Sequence, residues 1–167
     1  MASLKTLVRR LRSPDTDEAF LALADLLLRA TAMGERPPEV LPELLRRAAD
    51  PDTPLKVRQL VVNALPVYGP TDDAARDAVV RALADPSPFV RREALQSLTR
   101  MRNLREPEFA AIRGMAADPD KHVARWSETA LRNIALREQQ DAEPGAAADG
   151  GSRFVSGTSS SPVPRRC

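Results

Sequence analysis

Four turns built on proline cut the chain into units of nearly constant length, and that recurrence excludes most folds before any single side chain is weighed. The turn pairs are Ser13-Pro14, Asp50-Pro51, Asp85-Pro86 and Asp118-Pro119, and their first residues lie 37, 35 and 33 apart. An apolar helical stretch precedes each turn and another follows it at a fixed offset, the pattern of stacked helical hairpins. Six positions before the turns stand Leu7, Leu44, Val79 and Ile112, and two before them Leu11, Ala48, Leu83 and Ala116. A separation of four keeps both columns on one helix face. After the turn, Val90 and Val123 fall five positions on, Ala94 and Ser127 nine, Leu98 and Leu131 thirteen, Met101 and Ile134 sixteen. The second unit carries the same stripe in Val57, Val61, Leu65 and Tyr68 once two extra turn residues are allowed for. The first carries it in Ala22 and Leu26, with Glu18 where the leading valine stands elsewhere.

This periodicity predicts helices over residues 3–12 and 16–32, 39–49 and 54–67, 71–84 and 87–102, 107–117 and 120–137. Pro42, Pro54, Pro88 and Pro107 fall in or near first turns, where a missing N–H costs little. Thr71-Asp72-Asp73 supplies a side-chain cap and acidic charge at a helix start. Pro66 is expected to end or kink its helix ahead of Gly69-Pro70. Turns this short make the members of each pair antiparallel neighbours, and each pair buries its stripe only against the next. The expected fold class is therefore all-α, a short α-solenoid of about four antiparallel helix pairs over residues 1–137.

Residues 138–167 change character. Ala146–Ser152 and Gly157–Ser161 lack periodicity and large apolar groups, so burial cannot offset the entropy of ordering them, and the segment is expected to be a disordered tail. Its end, Pro162–Cys167, reads as a short docking motif or as a solubilising terminus. Aromatic residues make up only 4% of the chain, which leaves Leu, Ala and Val to build the core. No stretch approaches the roughly 20 apolar residues of a membrane span. The basic, amphipathic start, Met1–Arg12, suits an anionic membrane surface or a targeting peptide. Leu4, Leu7 and Leu11 nevertheless share columns with Leu41, Leu44 and Ala48, so the repeat already accounts for them. A single cysteine, Cys167, permits no internal disulfide and suits a reducing cytoplasm.

Nothing in the sequence assembles a catalytic constellation, and no enzyme activity, metal or cofactor is expected. His122 is the only histidine and lies beside a turn, where a surface or capping role suits it. Asp50, Asp85 and Asp118 recur in register, which points to structure: each is expected to accept N–H bonds at a helix start or to pair with Arg58 or Arg91. The seven glycines form no phosphate-binding loop.

The run Asp85-Pro86-Ser87-Pro88-Phe89-Val90-Arg91-Arg92-Glu93-Ala94-Leu95 resembles the turn and second helix of a HEAT repeat, and Asp50-Pro51 with Val57-Arg58 is a stretched copy. Asp118-Pro119 leads to Val123-Ala124, so there the arginine is missing or displaced to Arg125; the first unit has neither Asp nor Arg at these columns. The resemblance implies a short right-handed stack of helix pairs serving as a protein-binding scaffold or adaptor, with the second helices lining its concave face.

On that face the columns seven, eleven and fourteen after the turns hold Arg92, Gln96 and Thr99, then Arg125, Thr129 and Arg132. The second unit contributes Gln59, Asn63 and Pro66. The candidate partner-binding set is Gln59, Asn63, Arg92, Gln96, Arg125, Trp126, Thr129 and Arg132, set against the plainer reading of an ordinary solvated face. Trp126 stands in a column with Leu21, Leu60 and Glu93 and reads either as a contact residue or as a core or cap residue. The first unit is apolar nearly all round, and Phe20, Ala24 and Leu27 form a second candidate contact, for a partner or for self-association, unless the loop Gly34–Pro38 folds over it. A nucleic-acid binder is the alternative function. Residues 1–137 carry 22 basic against 19 acidic groups, so only a strongly segregated patch would hold phosphate. A HEAT-like lyase attaching bilin pigments is a weaker alternative resting on fold analogy alone.

Overall fold

The computed structural model describes residues 2–142. Among these are eight α-helices and no strand: α1 Leu4–Leu11, α2 Thr16–Ala32, α3 Val40–Ala49, α4 Leu55–Tyr68, α5 Asp73–Arg81, α6 Pro88–Leu98, α7 Glu106–Gly114 and α8 Lys121–Ala142. Short 3-10 turns at Ala82–Ala84 and Met115–Ala117 tighten the ends of α5 and α7 just before the Asp-Pro corners. The helices start where the sequence supplies caps. Ser3 Oγ accepts from Thr6 N at 3.2 Å, Asp15 Oδ1 from Glu18 N and Asp72 Oδ1 from Ala75 N, both at 2.8 Å. Pro88 opens α6, where no N–H is needed.

The second helices stack in the order α2, α4, α6, α8, and each first helix packs on its own partner. The columns read from the sequence meet between them: Leu44, Val57, Leu65, Val79, Val90, Leu98, Ile112 and Ile134 all fall within one continuous core. Three details differ from expectation. Ala116 is exposed, because it lies in a 3-10 turn on the last pair and no further pair covers it among the described residues. The last helix runs to Ala142, five residues past the expected boundary at 137; the rest of the expected tail, 143–167, lies outside the described residues.

Pro66 is the third. It is buried inside α4, which continues through it to Tyr68. Proline offers no N–H to the carbonyl four residues back. That carbonyl, of Val62, instead accepts from Ser97 Oγ in the next unit at 2.9 Å. The freed group is satisfied across the repeat boundary, so the helix need not end.

Arginines complete the joints. Arg58 grips Asp85 through two bonds, Nε to Oδ2 at 2.9 Å and Nη2 to Oδ1 at 3.1 Å, and Arg91 grips Asp118 in the same way at 2.8 Å each. Each arginine thus reaches the carboxylate of the following unit. The same carboxylates accept turn N–H groups, from Ser87 to Asp85 and from Asp120 to Asp118 at 2.8 Å, so both roles expected of them operate together. The Arg91 hydrogen bond holds the Asp118 carboxyl below its ordinary range and raises Arg91 in turn. The ladder stops where its residues do. Ala19 and Ala124 stand in the arginine column of the first and last units.

A second link joins the first helices. Arg76, 1% exposed, donates from Nε to Glu108 Oε1 at 3.2 Å and pairs with Asp73. Burial acts to raise the Glu108 carboxyl, but the Arg105 N–H and the guanidiniums of Arg105 and Arg76 outweigh it, and the group sits below its usual range.

Candidate functional site

The face of the second helices directed away from the first is set by the helical period. On α6 the buried residues Val90, Ala94 and Leu98 turn inward, which leaves Phe89 exposed and Arg92 and Gln96 half-buried on the outward side. On α8 the buried stripe Val123, Ser127, Ala130 and Ile134 leaves Arg125 and Arg132 exposed, with Thr129 half-buried between them and its hydroxyl donating to Arg125 O at 3.3 Å. Arg92, Arg125 and Arg132 make no ion pair within 4 Å among the described residues, and Arg92 Nε has no hydrogen-bond partner there. This separates them from Arg58, Arg76 and Arg91, whose guanidiniums are spent on holding the repeats together.

Two hollows flank this face. One, of 360 Å³, lies between α6 and α8 and is lined by Pro88, Phe89, Arg92, Asp120, His122 and Val123. The other, of 340 Å³, is lined by Phe20, Lys56, Gln59, Leu60, Asn63 and Glu93. Gln59 is half-buried here, and the Asn63 amide is committed, donating from Nδ2 to Glu93, which is 8% exposed and also lies 3.6 Å from Arg100 Nη2. Asn63 therefore links α4 to α6 before it offers anything to a partner.

Trp126 is half-buried and packed on the core. Its column behaves alike where contacts are seen: Glu93 bonds Asn63 of the preceding second helix, and Leu60 lines a hollow with Phe20 of α2. Leu21 occupies the same column in the first unit, has no such helix to meet among the described residues, and is 65% exposed.

The apolar candidates of the first unit are placed differently from expectation. Phe20 and Leu27 are half-buried against the core, Ala24 is half-buried, and Lys56 Nζ sits 5.8 Å from the centre of the Phe20 ring. The outward apolar residues of α2 are Leu21 and Leu28, the latter 64% exposed, and the loop 34–38 leaves both uncovered. The sequence reading also passed over Phe89, 56% exposed at the start of α6. Its position one residue before the inward Val90 was the available signal.

None of the helices among the described residues is long and apolar enough to cross a membrane. The family model for HEAT repeats matches residues 41–132. Among solved structures the chain is similar to an engineered protein known from its crystal structure, with a TM-score of 0.54 and 20% identity over 81% of this chain; it spans 63% of the length of that protein, a likeness of fold alone. No curated protein matches the chain. With the joints between units, the buried columns and the family match in agreement over more than half of its length, the chain belongs to the HEAT-repeat family.

Proposed function

We propose that this protein is a non-enzymatic scaffold or adaptor that holds another protein on the concave face of its second helices. The observation that carries the reading is the trio Arg92, Arg125 and Arg132, on the outward side of adjacent helices and without ionic partners among the described residues, whereas Arg58 and Arg91 on α4 and α6 are spent on the joints between units. Unpaired guanidiniums offer fork-shaped donors to carboxylates and carbonyls, and Phe89 beside Arg92 adds the flat apolar surface that interfaces favour. Gln96 and Thr129 supply neutral hydrogen-bonding groups between them. Interspersed carboxylates at Asp120 and Glu128 favour a protein surface over the continuous negative charge of nucleic acid.

The test takes the protein that copurifies with the full chain from native cells. Calorimetric titration with wild type and with the triple variant Arg92→Glu, Arg125→Glu, Arg132→Glu is expected to show binding weakened by at least tenfold, because charge reversal turns attraction into repulsion. Melting curves should coincide. Equal affinity refutes the reading.

Exposed Leu21 and Leu28 favour a second contact on α2, for a partner or for another copy of the chain. Sedimentation of wild type against Leu21→Glu checks self-association: a concentration-dependent dimer lost in the variant supports it, and a monomer at all concentrations refutes it.

A further inference from the structure

A groove of 580 Å³ runs between α1 and the connection that leads from α2 to α3. Its floor is apolar, formed by Leu4, Val8 and Pro37, and its rim is basic on balance, with Lys5, Arg9, Arg12 and Arg36 against Glu35 and Glu39. Lys5, Arg9 and Arg12 follow one another at helical spacing along the solvent side of α1, and Arg36 faces them from the connection. Lys5, Arg9 and Arg36 have no ionic partner within 4 Å among the described residues, and Arg12 Nε is 3.9 Å from Glu43 Oε2.

The two walls are tied by one side chain. Arg29 Nη2 donates to Ala2 O at 2.9 Å beside the start of α1, its Nε donates to Asp25 at 3.1 Å, and its Nη1 lies 3.8 Å from Glu35 Oε2 on the opposite wall. Gly34 turns the chain at φ +71°, and a Cβ there would meet nothing within 4 Å, so the backbone conformation, and not space, calls for glycine. The groove is a formed feature of the fold within the size range of ligand clefts.

We infer that this groove binds an acidic peptide segment of a partner protein, with one apolar side chain of the peptide seated on Leu4, Val8 and Pro37 and its flanking carboxylates facing Lys5, Arg9 and Arg36. Charge and shape choose this occupant. A lipid surface would need the apolar face of α1, but Leu7 and Leu11 are buried in the stack. An unbroken polyphosphate would meet Glu35 and Glu39 on the same rim and would leave the apolar floor unused. The chain's own residues 143–167 carry Arg153, Arg165 and Arg166 against Glu143 and Asp149, the wrong sign for a basic rim. A peptide spaces its charges around an apolar anchor and satisfies both parts. The groove shares no residue with the second-helix face, so the two readings stand or fall separately.

The test immobilises the full chain and pans it against random dodecapeptides displayed on phage, then titrates the best-enriched peptide by calorimetry at low and high salt. Enriched peptides are expected to carry Asp or Glu around one large apolar residue. Arg9→Glu and Arg36→Glu should each weaken binding about tenfold or more, with a steep salt dependence, while Arg81→Glu on α5 leaves it unchanged and melting temperatures hold. The inference is overturned if no peptide is enriched, if the enriched peptides lack acidic residues, or if affinity is unaffected by Arg9→Glu. It is also overturned if phosphatidylserine vesicles or duplex DNA bind in an Arg9-dependent way while no acidic peptide does.

Discussion

Replacing Ser97 with alanine should cost more stability than its size suggests, and the excess should vanish when Pro66 is replaced as well. Ser97 is fully buried, and its hydroxyl donates to the Val62 carbonyl that Pro66 leaves without an N–H. Removing the hydroxyl strands a buried acceptor, at a cost of about 1–3 kcal/mol. In a helical domain of this size each kcal/mol lowers the melting temperature by roughly 2–4 °C, so the variant should melt about 2–12 °C lower. The loss of the Arg100 Nη2 bond to Ser97 Oγ at 3.1 Å adds little, because Arg100 is exposed enough to rehydrate. With Pro66→Ala, residue 66 regains an N–H that reaches Val62 O within the helix, and Ser97→Ala should then cost below about 1 kcal/mol. Urea melts of wild type, both single variants and the double variant form the cycle. An equal cost of Ser97→Ala in both backgrounds would refute the argument that the serine serves the proline.

The Arg91–Asp118 joint should make stability depend on acid: the Asp118 carboxyl is held below its unfolded value, so its contribution is full above the unfolded pKa near 4 and is lost as pH falls through the folded one. Asp118→Asn should therefore cost about 3 kcal/mol at neutral pH, with the gap to wild type closing below about pH 4 in denaturant melts at stepped pH. Tyr68, the only tyrosine, donates its hydroxyl to Leu26 O at 2.9 Å, and burial, opposed in part by Arg36, pushes its phenol up to about 12. Preference for the neutral phenol persists until pH rises through that value, so ultraviolet titration should give a midpoint near 12 and not the ordinary value of about 10. Leu65→Ala and Leu98→Ala should each cost on the order of 2–5 kcal/mol, and Gln96→Ala no more than about 0.5 kcal/mol, in the same melts.

What the sequence made legible follows from what recurs. Val57, Val90 and Val123 stand at one column because every second helix must bury the same face, and all three are buried. Asp85 and Asp118 recur for the same reason, though their partners lie a full unit back in the chain, a distance that local spacing does not reveal. Arg76 and Glu108 stand at unrelated columns, and only the packing of α5 and α7 brings them together. Pro66 read as a helix end because its compensating donor belongs to another unit. On the candidate face, the outward direction of Arg92, Arg125 and Arg132 was readable from period alone. The commitment of Asn63 to Glu93 and the partial burial of Phe20 were not, since both depend on the adjacent helix. Leu21 was hidden for a related reason: its column is buried or half-buried wherever a second helix precedes it.

Whether the outward residues of α6 and α8 hold a protein partner is decided by amide hydrogen exchange on the chain alone and in complex with the protein that copurifies with it. Slowed exchange in peptides spanning Phe89–Gln96 and Arg125–Arg132 is the predicted result. Protection confined to α3, α5 and α7, or only to α2 around Leu21 and Leu28, would contradict it.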